Sequence, residues 1–142
     1  MNDPQSLQGI YILMVMDQAE ERQHYAAALE ALGATVLTAR LVDEALNILD
    51  VLSPDLVISE LALPGKTGYD LIRAMREKMD RSQFPAAIPA IAVATGISEK
   101  CRGTVRTKGF QELIRKPFST ERLVRLVEKW TGKRCYQHQQ AV

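Results

Sequence analysis

Two hydrophobic periods take turns along the chain. Ile10 to Met16 is a continuous apolar run of strand length, the pattern of a strand covered on both faces. Over Gln18 to Leu32 the apolar residues Tyr25, Ala28, Leu29 and Leu32 fall at helical spacing, and Gly33 supplies a stop. Ala34 to Thr38, short and β-branched, predicts a second strand. Val42, Ala45, Leu46 and Leu49 repeat the helical stripe until Pro54, and Asp55 to Ser59 predicts a third strand. After a loop with Pro64, Gly65 and Gly68, Thr67 and Asp70 have capping-box spacing for a helix to about Met79, with Asp as a shorter version of the usual Glu. Asp80 to Pro89 carries two prolines and predicts an extended loop, followed by a fourth strand over Ile88 to Ala94. Ser98 to about Lys108 predicts a helix weakened by Gly103 and Thr104, and Leu113 to Arg115 a short fifth strand. Ser119 caps a last helix with Leu123, Leu126, Val127 and Trp130 on its buried face.

Strand and helix therefore alternate five times, which requires right-handed crossovers and a parallel sheet with helices on both faces. The expected fold is α/β: a doubly wound five-stranded parallel sheet of flavodoxin-like type, order 2-1-3-4-5. One domain is expected over residues 10–131, between a flexible N-terminal segment, 1–9, and a polar C-terminal tail, 132–142. In such sheets ligands bind beyond the carboxyl ends of the strands. Asp17, Glu60 and Thr95 fall at the ends of the first, third and fourth strands, and Lys116 follows the fifth.

Composition narrows the class further. The chain has 142 residues, enough for one domain with a sizeable core, and 46% hydrophobic and 25% charged side chains suit a soluble globular protein. No apolar stretch approaches the ~20 residues of a membrane helix, and no secretory leader pattern opens the chain, so a cytoplasmic location is expected. Cys101 and Cys135 make no disulfide framework. Cys135 and His138 have the spacing of half a zinc site, but no second pair completes it. His24 falls on the polar side of the first helix, and Ser59, on the opposite strand face from Glu60, reads as a small core residue. The net charge of +1 hides an asymmetry: residues 1–99 hold 7 basic and 14 acidic side chains, and residues 100–142 hold 11 and 3. Arg102, Arg106 and Lys108 form a basic patch suited to an acidic protein surface. No interleaved aromatics or recognition helix accompany it, so direct nucleic-acid binding is not expected.

Two acids, a hydroxyl and a lysine converging on one crevice suit a phosphoryl group carried on a carboxylate. With Ile12-Leu-Met-Val-Met-Asp17, Pro54-Asp-Leu-Val-Ile-Ser-Glu-Leu-Ala-Leu-Pro-Gly65, Gly68, Ile91-Ala-Val-Ala-Thr95 and Arg115-Lys-Pro-Phe118, the chain resembles the receiver domain of bacterial response regulators over about residues 10–131. The resemblance implies two-component signalling, a partner-binding face on the fourth helix, fifth strand and fifth helix, and often a cis Lys116–Pro117 bond. The partner would be a histidine kinase, an output protein or a second copy, without membrane contact.

Three positions depart from that pattern. Glu60 stands where the resemblance places a phosphoacceptor aspartate, Met16 replaces the first of two magnesium-holding acids ahead of Asp17, and Leu113 replaces a switch aromatic. Thr95 and Lys116 match the family's phosphate-contacting residues. Magnesium prefers oxygen ligands in near-octahedral array, and a methionine thioether is a poor one, so Asp17 and Glu60 remain as weak candidate ligands. The extra methylene of Glu60 misplaces a nucleophile, and a small error of this kind can cost ~100-fold in rate. The expected function is an atypical receiver, an interaction module independent of phosphorylation, with no enzymatic turnover and no cofactor. The alternatives are a phosphoacceptor using Glu60 with weakly held Mg2+, and a flavodoxin-like nucleotide or flavin binder. The latter lacks a Gly-rich phosphate loop after the first strand, where Asp17-Gln-Ala-Glu20 stands.

Overall fold

The computed structural model describes residues 4–81, 88–96 and 100–140. Among the described residues, strands and helices alternate: β1 (Tyr11–Val15), α1 (Ala19–Glu30), β2 (Thr35–Ala39), α2 (Val42–Val51), β3 (Leu56–Glu60), α3 (Gly68–Arg81), β4 (Ala90–Thr95), α4 (Lys100–Thr107), β5 (Glu112–Lys116) and α5 (Thr120–Gln140). The strands form one sheet in the order β2-β1-β3-β4-β5, each pair parallel. The doubly wound sheet expected from the alternating periods is the one observed.

Side-chain alternation along the strands splits the core into two layers. Leu13 and Val15 of β1, Val57 of β3 and Leu113 of β5 pack with Val42 and Ala45 of α2, Leu71, Ile72 and Met75 of α3, and Val105 of α4. Ile12, Met14 and Met16, with Leu56, Ile58 and Ile114, pack on the opposite face with Ala26 and Leu29 of α1 and Leu123 and Val127 of α5. A strand enclosed on both sides needs apolar residues at every position, which is why β1 reads as an unbroken run. Arg76 pins α3 beneath the sheet by donating to the carbonyls of Ile88 and Gly109, both at 2.7 Å.

The boundaries depart from expectation at both ends. The segment before β1 is not purely polar surface: Leu7 is 1% exposed and joins the α1–α5 layer, and its amide donates to the Leu32 carbonyl at 2.9 Å. One apolar residue among polar neighbours gives no period, so the sequence pattern could not reveal it. Helix α5 runs on to Gln140, through the residues expected as a polar tail. Within it Thr131 is fully buried, and its hydroxyl donates to the Val127 carbonyl at 2.6 Å. The buried face of α1 uses Ala26 with Leu29, and Ala28 lies at the margin. Most of the extended loop expected over Asp80 to Pro89 lies outside the described residues.

Candidate functional site

The site grows from the carboxyl ends of β1, β3 and β5. β3 places Ser59 and Glu60 on opposite sheet faces, so the buried Ser59 joins the α2–α4 side while Glu60 turns towards α1 and α5. Glu60 is 9% exposed. A carboxylate so enclosed needs partners for both oxygens, and it has them. Oε1 accepts from the Asp17 amide at 2.7 Å, and Oε2 pairs with the Lys116 ammonium at 2.6 Å. Lys116 reaches further, to Oε2 of Glu21 in the first turn of α1 at 2.9 Å. One ammonium thus bridges two carboxylates and ties β3, β5 and α1 together. Burial pushes the Lys116 ammonium down, but its hydrogen bonds and attraction to Glu60 and Glu21 outweigh burial and hold it above the ordinary lysine value.

The strand ends do not all contribute as the sequence suggested. The side chain of Met16 does not line the site; it packs in the α1–α5 core, and only its carbonyl faces the loops, accepting from Arg22 at 2.7 Å. The Asp17 carboxylate pairs with Arg40 at 2.9 Å, while the amide of the same residue holds Glu60. Thr95 pairs with Lys116 in the β4–β5 ladder and lines a cavity of ≈ 160 Å³ beside Glu60, Leu61 and Ala62. Among the described residues its hydroxyl makes no hydrogen bond to Glu60 or Lys116, so the hydroxyl stands beside the bridge and outside it. Leu113 is buried on the other side of the sheet, against α4. The Lys116–Pro117 peptide is cis. Next to it Phe118 stacks on Tyr25 with ring centroids 4.7 Å apart. Burial, reinforced by Glu21, raises the Tyr25 phenol, while Lys116 opposes that rise.

Glu21, Arg22 and Arg40 were missed by the sequence reading. Glu21 stands four residues after Asp17 at the helix start, and Arg40 directly follows the second strand, which borders the first. The strand-end rule, applied to β2 as well, would have found Arg40.

This donor set does not fit a divalent metal of the magnesium type. Such an ion needs several hard oxygens. Here Met16 is withdrawn into the core, Asp17 is matched to Arg40, and Glu60 is matched to Lys116 and a backbone amide. The two carboxylates are thus balanced by the protein's own cations.

The site's loop geometry depends on one close approach. Gly68 opens α3 against the end of β3: a Cβ there would lie 2.3 Å from the Glu60 carbonyl oxygen and 3.0 Å from the Leu61 Cα. The Gly68 amide donates to the Leu61 carbonyl at 2.9 Å. The helix start itself is closed by the expected capping box, with the Thr67 amide donating to Asp70 Oδ2 at 2.8 Å. The same bond, more than any other influence, holds the Asp70 carboxyl below its ordinary value.

Comparison with known proteins places these features in context. The profile of the response regulator receiver domain matches residues 12–128. An uncharacterized 14.6 kDa protein of Leptolyngbya boryana is 32% identical over 126 residues, covering 89% of this chain and 93% of that one. The phosphate regulon transcriptional regulatory protein PhoB of Pseudomonas aeruginosa is 32% identical over 116 residues, and the chain spans 49% of its length. Among solved structures, chemotaxis response regulator CheY4 of Vibrio cholerae superposes with a TM-score of 0.76 at 25% identity, over 85% of this chain and 98% of that one.

Proposed function

The chain belongs to the response regulator receiver domain family, and on that footing we propose that it is an atypical receiver whose signalling does not depend on phosphorylation. Glu60 takes the position of the phosphoacceptor, and the observation that carries the reading is its 2.6 Å bridge to Lys116. A lysine that would otherwise contact an incoming phosphoryl group is already neutralised, by Glu60 on one side and Glu21 on the other. The bridge imitates a phosphoryl group only in part, because phosphate brings more charge and three acceptor oxygens. Its effect is to fix the site in one arrangement.

Leu113 supports the same reading. A buried aliphatic side chain at the switch position has no polar tip with which to report on the site, so the usual packing signal is absent. The protein then works in two-component signalling as a binding module without turnover of its own. Its output passes through a protein partner, whether a histidine kinase, an output protein or a second copy, at the face formed by α4, β5 and α5.

Intact-mass measurement after incubation with a small phosphodonor and magnesium tests the proposal. The expected result is an unchanged mass. A phosphoryl adduct that disappears in Glu60→Gln would overturn it and establish Glu60 as a working acceptor.

A further inference from the structure

We infer that residues 4–9 form a latch, closed by Leu7 and hinged at Gly9, that opens as a unit while the sheet stays folded. Opening bares the apolar base of the layer between the sheet and helices α1 and α5. The latch is independent of the chemistry at Glu60, which lies at the opposite end of the strands.

The segment folds on itself. The Gln8 amide donates to the Gln5 carbonyl at 3.1 Å and the Ile10 amide to the Leu7 carbonyl at 3.0 Å, which makes two successive turns. Leu7 is buried, at 1% exposure, while Pro4, Gln5, Gln8 and Gly9 are exposed. Ile10 belongs to the core instead: it is buried, and its carbonyl accepts from the Thr35 amide at 2.9 Å, continuous with the pairing of β1 and β2. The border between latch and sheet therefore falls at Gly9. This residue has a φ of +82°, a left-handed conformation natural to glycine, and no atom beyond its chain neighbours lies within 4 Å of where a Cβ would stand. It can turn without unpacking anything around it.

The closed latch rests on the carboxyl end of α1. The Leu7 amide donates to the Leu32 carbonyl at 2.9 Å, just past the helix, where carbonyls lack intrahelical partners. Gln8 lies against Gly33, whose missing side chain permits the approach: a Cβ there would meet Gln8 Oε1 at 2.9 Å and its Cα at 3.0 Å. The Leu7 side chain joins the apolar cluster that contains Leu29 and Ala34. Ser6 opposes this closure. Its hydroxyl oxygen is buried with no hydrogen-bond partner among the described residues. Such a hydroxyl favours the open state, in which water satisfies it. One buried leucine, set against an orphaned hydroxyl and the ordering of a polar segment, gives a closed state of small margin. The strand beyond Gly9 is by contrast paired on both sides.

Native-state hydrogen exchange of the full chain, followed by amide NMR in low urea, tests the latch. The Leu7 amide should exchange roughly 10- to 100-fold more slowly than in an unstructured peptide, the margin one buried leucine supplies, and low urea should hardly change its rate. The amides of β1 should show protection of about 10⁴ or more with a steep urea dependence, because they open only with the whole fold. Ser6→Ala removes the orphaned hydroxyl and should slow exchange at Leu7 by about tenfold. Leu7→Ala should bring that amide to the peptide rate while the amides of β3 and β4 keep their chemical shifts. Equal protection and urea slope at Leu7 and in β1 would overturn the inference, since the segment would then open only with the core. Peptide-like exchange at Leu7 in the parent chain would overturn it as well, because the latch would never close. So would faster exchange at Leu7 in Ser6→Ala, or loss of the β3 and β4 shifts in Leu7→Ala.

Discussion

Lys116 sits at the junction of three elements, and its replacement shows what the bridge is worth. Lys116→Met leaves the Glu60 carboxylate, 11% exposed as a side chain, with the Asp17 amide as its remaining partner. A charge-assisted bond in a mostly enclosed place is worth more than a surface pair, so a loss of about 1–3 kcal/mol in urea unfolding is expected. Glu60→Gln should cost less, since an amide can still accept from Asp17 and leaves Lys116 paired with Glu21. The double variant should lose less than the sum of the two, and strict additivity would show that the pair is not coupled. The pH dependence has a definite sign. A lysine held above its ordinary value in the folded state contributes stability that is complete below the ordinary value and fades as pH rises through the higher one. The advantage of the parent chain over Lys116→Met should therefore be level from neutral pH to about 10 and shrink only beyond it. A decline already visible between pH 7 and 9 would contradict this assignment.

At the scale of elements, two glycines in helices carry opposite predictions. Gly68→Ala would drive a methyl group into the Glu60 carbonyl, so α3 must shift at its first turn and disturb the loop after β3. A cost of about 1–3 kcal/mol is expected from such overpacking. Gly103 lies inside α4 with open space around the Cβ direction, so Gly103→Ala should gain up to about 1 kcal/mol by removing the entropy cost of a mid-helix glycine. Chemical denaturation of both variants checks the pair, and the same sign for both would show that local space does not decide. The sequence revealed α4 as a weak helix for this reason, and it revealed the capping box of α3 through the spacing of Thr67 and Asp70. It could not reveal the close approach of Gly68 to Glu60, because that contact depends on how α3 is set against the sheet. Nor could hydrophobic period alone predict the long run of α5, since its final turns bear no apolar stripe.

For the molecule as a whole, the order of strands determines which residues meet, and that much of the site was legible. Once Asp17, Glu60 and Lys116 stood at the carboxyl ends of β1, β3 and β5, with only β4 between the last two, their convergence on one crevice followed. What the sequence could not show was how they pair off. Asp17 turns to Arg40 and Glu60 turns to Lys116, a division set by side-chain direction on alternate faces and by the arginine that follows β2. This division predicts how the protein responds to magnesium. An ion that binds only the folded state raises stability by RT ln(1 + [L]/Kd). With both carboxylates matched internally, 10 mM MgCl2 should leave the Tm of the parent chain unchanged relative to an NaCl control of equal ionic strength. Glu60→Asp/Arg40→Ala withdraws one carboxylate from Lys116 and releases the other from Arg40. If that pair then holds magnesium with a Kd on the order of 1 mM, ~10 mM ion adds about 1.4 kcal/mol. The gain would appear as a Tm rise of roughly 3–7 °C. A comparable rise in the parent chain would mean that the internal pairs yield to a metal, and that the arrangement at the strand ends is a resting state of a working phosphoacceptor.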